Sequence, residues 1–190
     1  MTTSILICGV GGQGILLAGD IIAQTAMEAG FDVKKSEVHG MAQRGGSVIS
    51  GVRFGAKVYS PLIGKGDADI ILAFEKLEAI RAIEYLKVQG LYIVNDYEFP
   101  TLKISMGEEE YPKDIIEELN KVASKVVVVD GLRLAKHAGN AKTVNVVLLG
   151  VLAKLIDLPK ERWLSVIEQR VPARMRAINK RAFLLGYSST

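Results

Sequence analysis

The stretch ILICGVGGQGI, residues 5–15, constrains this chain more than any other. An apolar run closes on Gly9, Gly11 and Gly14 in the G-x-G-x-x-G spacing. Apolar residues at helical intervals follow as far as Ala29, and Gly30 supplies a helix stop. Strand, glycine turn and helix in this order predict a Rossmann-like first unit. The first glycine allows the tight turn, the second lets backbone approach a pyrophosphate, and the third lets helix pack on strand. Amides at the helix start would favour an anion. Gly9, Gly11, Gly12, Gln13 and Gly14 are therefore a candidate cofactor-binding loop, for an anion or for an interface.

The remaining chain continues the alternation. FDVKK reads as a weak second strand, and SVISGVRF as a half-buried one with Val48, Ser50, Val52 and Phe54 on one face. DADIILAF and LYIVND read as buried strands. KVVVVD is nearly all β-branched, which predicts a central strand covered on both faces. EKLEAIRAIEYLK predicts a helix with Leu77, Ile80, Ile83 and Leu86 as its stripe. YPKDIIEELNKVA predicts another, with Pro112 at its start. TVNVVLLGVLAKLI is apolar nearly all round and predicts a helix buried against this chain or another. PKERWLSVIEQRV and ARMRAINKRAFLLGY complete a helical C-terminal part. Strands alternating with helices imply an α/β fold, Rossmann-like, with a mostly parallel sheet and flanking helices. A single domain over residues 1–190 fits the length.

A dinucleotide site needs more than glycines. For NAD an acid about 20 residues beyond the loop should accept the ribose hydroxyls. Counting from Gly14 reaches Lys34, with Lys35 beside it. The two lysines would suit a 2′-phosphate, or simply an exposed strand end. A free-standing NAD(P)-binding oxidoreductase and a regulatory nucleotide-binding module therefore remain as alternative readings.

Composition removes several other classes. A net charge of +3 is too small to argue for nucleic acid, and the basic run RMRAINKR reads as a solvated helix face. The hydrophobic content of 49% allows a substantial core and hints at a buried partner surface. The single cysteine, Cys8, excludes an internal disulfide and cannot hold an iron–sulfur cluster by itself. Its apolar neighbours predict a buried, inert thiol. MTTSILICGV lacks the basic region and cleavage pattern of a signal peptide, and TVNVVLLGVLA is about half the length of a membrane span. The expectation is a cytoplasmic protein, away from membranes. His39 and His137 are far apart and no cysteine pair accompanies them, so no metal site is expected. No nucleophile–base–orienter set stands out, and the catalytic residues are unknown at this stage.

One further stretch, SEVHGMAQRGGSVIS at residues 36–50, carries unusual chemistry. Gly40, Gly45 and Gly46 permit special backbone conformations, Arg44 brings a forked cation, and His39 and Gln43 add hydrogen-bonding groups. His39, Gln43, Arg44, Gly45 and Gly46 thus form a candidate interface or substrate-side segment.

Taken together, GVGGQGILLAG, SEVHGMAQRGGSVISGVRFG and VYSPLIGKGDADIILAFEKLEAIR resemble the small, gamma-type subunits of the 2-oxoacid:ferredoxin oxidoreductases. EVHGMAQRGG is similar to the indolepyruvate branch in particular, where this subunit is called beta. The resemblance implies a pyruvate/ketoisovalerate oxidoreductase gamma-type catalytic domain, inactive alone, in a heterodimer. A large catalytic subunit would carry thiamine diphosphate, Mg2+ and iron–sulfur clusters, and this chain would bind none of them by itself. Aryl 2-oxoacids would be oxidatively decarboxylated with coenzyme A to acyl-CoA, in amino-acid catabolism, with electrons leaving to ferredoxin through the complex. The segment at residues 36–50 would then meet the catalytic subunit. The isolated chain is a candidate homodimer.

Overall fold

The computed structural model describes residues 2–39 and 46–190, and for His39 the backbone alone. Six strands form one sheet: β1 (Thr2–Val10), β2 (Asp32–His39), β3 (Ser47–Gly55), β4 (Ala68–Ala73), β5 (Leu86–Asn95) and β6 (Lys125–Val129). The helices are α1 (Ile15–Glu28), α2 (Lys76–Arg81), α3 (Leu102–Ser105), α4 (Ile115–Val122), α5 (Gly131–Ala138), α6 (Val144–Leu155), α7 (Lys160–Arg170) and α8 (Arg176–Tyr187).

The spatial order is β2-β3-β1-β4-β5-β6. β1, β4, β5 and β6 are mutually parallel, whereas β3 runs antiparallel to both β1 and β2. The sheet is thus mixed and mostly parallel, with helices on both faces. Alternation along β1 explains why both faces are covered. Ile5 and Ile7 enter one apolar cluster, and Leu6 and Cys8 enter the other. The first cluster is roofed by α1 and α5 to α8, the second by α2 and α4. Full burial of a side chain such as Ile5 or Ile7 contributes about 1.5–3 kcal/mol, which pins β1 as the central strand.

Val48, Ser50, Val52 and Phe54 are all buried on one face of β3, as their alternation predicts. Other segments depart from expectation. KVVVVD forms an edge strand, with Val128 44% exposed. β-branched residues favour a pleated surface but carry no information about position in the sheet. The helix expected over residues 75–87 ends as α2 at Arg81, and a short 3₁₀ turn leads into β5 at Leu86. Leu86 is buried as a strand residue, so its i+3 spacing to Ile83 is not a helical stripe. α6 is buried from Asn145 to Ala153 within this chain itself. Its close neighbour is α8, where a Cβ on Gly186 would lie 2.0 Å from the Val147 carbonyl oxygen. The apolar α6 therefore offers no outer face to a partner. α5, which the sequence reading passes over, starts at an Asp130 cap and ends at Gly139 in the left-handed region.

Candidate functional site

After β1 the chain turns to the face carrying α1, and after β4 it turns to the face carrying α2. The gap between the carboxyl ends of β1 and β4 is therefore a topological switch point, where open α/β sheets place their ligands. A cleft of about 640 Å³ lies there. Val10, Gly11, Gly12 and Gln13 form one side, and Phe74, Asn95, Tyr97 and Phe99 another. Lys142, near α6, contributes a cation.

The glycine loop is tied into the fold more than its motif suggests. Gly12 and Gly14 hold φ of 104° and 85°, which glycine adopts without strain. A Cβ on Gly9 would come within 2.8 Å of Phe74 Cβ, so this glycine lets β1 and β4 close on the loop. Gln13 Oε1 accepts the Val10 amide at 2.8 Å, and the Gln13 amide donates to the Val10 carbonyl at 3.1 Å. The Gly11 amide donates to the Gly46 carbonyl at 2.9 Å. Amides that an anion would need at Gly11 and Gln13 thus already have partners.

That last bond joins the loop to the second candidate segment. His39 pairs with Val48, and Val48 pairs with Gly9. The end of β2, the start of β3 and the glycine loop consequently share one end of the sheet. Gln43, Arg44 and Gly45 lie outside the described residues, as does the side chain of His39.

The lysines fall elsewhere. Lys34 pairs with Arg53, and Arg53 with Ser4, five residues before Gly9. At about 3.3 Å per residue and about 4.8 Å per strand, Lys34 is displaced by about 17 Å along β1 and by two strands across it. The counted ribose position is not beside the glycine loop, because β3 intervenes and β2 continues past it. Lys34 pairs with Asp32 at 3.6 Å. Burial works to lower the Lys35 ammonium pKa, but hydrogen bonds to Asp20 and Glu37 outweigh it and hold it raised. Neither lysine is placed for a 2′-phosphate at the loop.

Two acids that the sequence reading did not single out follow the cleft residue Phe74 at the start of α2. Glu75, wholly buried, caps α2 by accepting the Leu77 and Glu78 amides. It also accepts the Phe99 amide at 3.4 Å and the Tyr111 hydroxyl at 3.3 Å. Burial raises its carboxyl above the ordinary carboxylate range despite those donors. Burial and the neighbouring Glu75 carboxylate also raise the Tyr111 phenol. Glu78 is buried as well, accepting the Ser47 hydroxyl and pairing with Arg81 at 2.7 Å. The signal for both was EKLE immediately after a buried strand, the position where parallel strands deliver functional groups.

Cys8 is inaccessible and donates to the Glu78 carbonyl at 3.4 Å. Burial, then the Glu78 and Glu75 carboxylates, push its thiol well above the usual range. Such a thiol neither ligates iron nor reacts. Among the described residues no cluster of three His, Cys, Asp or Glu side chains is arranged to hold a metal. The residues of this chain do not fit an iron–sulfur cluster. No described helix is long and apolar enough to cross a membrane.

Comparison with known proteins agrees with this geometry. The chain is 45% identical to indolepyruvate oxidoreductase subunit IorB of Thermococcus kodakarensis, over 96% of this chain and 93% of that protein. It is 26% identical to the pyruvate/ketoisovalerate oxidoreductases common subunit gamma of Pyrococcus furiosus, over 96% and 94%. Among solved structures, the gamma subunit of a keto/oxoacid ferredoxin oxidoreductase from Geobacter sulfurreducens superposes with a TM-score of 0.72 at 24% identity, covering 97% of this chain and 96% of that one. A 2-oxoglutarate:ferredoxin oxidoreductase from Magnetococcus marinus, solved with 2-oxoglutarate, coenzyme A and succinyl-CoA, gives 0.76 at 22% identity, with 98% of this chain matching 30% of that longer one. The family model for pyruvate ferredoxin/flavodoxin oxidoreductase matches residues 4–189, and the chain belongs to that family.

Proposed function

We propose that the chain is the small subunit of an indolepyruvate-type 2-oxoacid:ferredoxin oxidoreductase, with residues 1–190 acting as one gamma-type domain. The observation that carries this reading is the 45% identity to an IorB subunit along almost the whole of both chains. The larger subunit supplies thiamine diphosphate with Mg2+ and the iron–sulfur clusters, and coenzyme A is the co-substrate. That division of labour is supported by a buried lone cysteine, which leaves this chain without cluster ligands. The reaction converts an aryl 2-oxoacid to its acyl-CoA in the cytoplasm and passes electrons to ferredoxin.

The contribution of this chain is structural presentation at one end of the sheet. The glycine loop and the segment at residues 36–50 meet there through the Gly11–Gly46 hydrogen bond. Arg44, Gln43 and His39 are the side chains that this segment brings to the larger subunit, with Arg44 as the charge-assisted contact. The isolated chain pairs with itself through surface that the larger subunit otherwise covers.

Co-expression provides the test. The purified chain alone should not reduce a viologen dye with indolepyruvate, coenzyme A and thiamine diphosphate. The co-expressed pair should. Turnover by this chain alone, or an inactive pair whose larger subunit is fully loaded, refutes the assignment.

A further inference from the structure

The two acids at the start of α2 behave differently. Glu75 is the N-cap and is satisfied by amides of its own helix. Glu78 occupies the third helical position, from which a capping-box acid turns back to the N-cap amide. Glu78 turns away instead. Its Oε2 accepts the hydroxyl of Ser47, 31 residues distant in sequence, while its Oε1 pairs with Arg81 at 2.7 Å. The acid is 3% exposed, whereas Ser47 is a surface residue. A buried carboxylate is costly unless its partners are fixed, so the contact holds the exposed serine firmly to the protein interior.

Ser47 opens β3, and the residue before it is Gly46, whose carbonyl accepts the Gly11 amide at 2.9 Å. Consecutive residues are therefore fastened to two different elements, Gly46 to the glycine loop and Ser47 to α2. On the far side of residues 40–45, His39 is held by pairing with Val48. Helix capping does not require the Ser47 contact, because Glu75 already performs that task.

We propose that Glu78 is a positioning residue: acting through Ser47, it fixes Gly46 and the start of β3 against the glycine loop and so holds this end of the sheet in the form that the larger subunit meets. The last step rests on the subunit assignment proposed above; the anchoring itself does not.

The test uses exposed Ser47, whose change leaves the core untouched. Two readouts are needed, amide hydrogen exchange of Gly11 in the isolated full-length chain and titration of the larger subunit with the chain by dye reduction. In Ser47→Ala the Gly11 amide should exchange about tenfold faster, and half-saturation should need about tenfold more chain, as for loss of one charge-assisted hydrogen bond. The thermal midpoint should fall by only a few degrees, as for one lost hydrogen bond, and the rate at saturation should stay near the parent value. Ser47→Thr, which keeps the hydroxyl, should restore both readouts, and Glu78→Gln should fall between Ser47→Ala and the parent. Unchanged Gly11 exchange in Ser47→Ala overturns the anchor. Faster exchange with unchanged half-saturation overturns the presentation role. A general loss of stability that Ser47→Thr does not rescue reduces the contact to ordinary packing and also overturns it. If the parent chain does not associate with the larger subunit, the subunit assignment fails, and hydrogen exchange still decides the anchor.

Discussion

β1 has two neighbours that obey different rules. On the β4 side the strands are parallel, their connections carry helices, and close packing does the fastening, as at Gly9 against Phe74. On the β3 side the strands are antiparallel, and polar contacts join the apolar packing of Val48, Val52 and Phe54: Gly11 to Gly46, Ser47 to Glu78 and, from β2, Lys35 to Asp20. Strand order explains why the counted ribose position, Lys34, lies away from the dinucleotide-like loop. In the usual dinucleotide unit the strand after the first helix lies next to β1. Here β3 occupies that place and sends β2 to the edge of the sheet. The glycine loop keeps its turn, while the neighbour of β1 on that side is the antiparallel strand β3.

Gly9 is the most sensitive position on the β4 side. If the β4 side depends on close approach, Gly9→Val should cost about 3 kcal/mol or prevent folding, because Phe74 Cβ and Gln13 cannot both withdraw. Urea unfolding of the isolated chain measures this, and a variant as stable as the parent removes the packing argument.

The hairpin side should respond in assembly instead. Arg44→Ala is expected to weaken association with the larger subunit by about 2 kcal/mol while leaving the thermal midpoint of the isolated chain in place. Arg44→Lys should recover only part, since an ammonium lacks the planar fork. Equal affinity for parent and both variants would assign Arg44 to solvent.

A smaller effect should appear in the pH dependence of stability. Burial raises the Glu75 carboxyl above its ordinary value of 4.5, so the folded chain holds that proton better than the unfolded chain. The Glu75 contribution is therefore full below the ordinary carboxylate range and is lost as pH rises through the raised pKa. Glu75→Gln cannot ionise and should flatten the stability profile over that interval. Denaturant midpoints from acid to neutral pH give the slope, and parallel profiles contradict the sign.

The smallest expected signal is the one most often associated with a glycine loop. Calorimetry at sub-millimolar nucleotide should show no NAD binding and at most weak NADP binding that salt abolishes, because Lys34 is exposed and distant from Gly9. Salt-resistant NAD binding lost in Gly11→Val would restore the free-standing dehydrogenase reading.

Elements whose signal is local are legible in the chain alone. Apolar runs located β1 and β4, alternation located β3, glycines marked the loop, and the lone cysteine between apolar residues announced a buried thiol. Both candidate segments are visible there as well, because glycines, an arginine and a glutamine between apolar runs are chemically conspicuous. Strand order, strand direction and register are different in kind, since they depend on contacts between residues far apart in the chain. KVVVVD could therefore not be known as an edge, nor Lys34 as a residue level with Ser4. The pairing of Ser47 with Glu78 belongs to the same class. An acid on a short helix reads as a cap or a solvated charge until the fold closes over it, and only the packed sheet brings that carboxylate to the root of the hairpin.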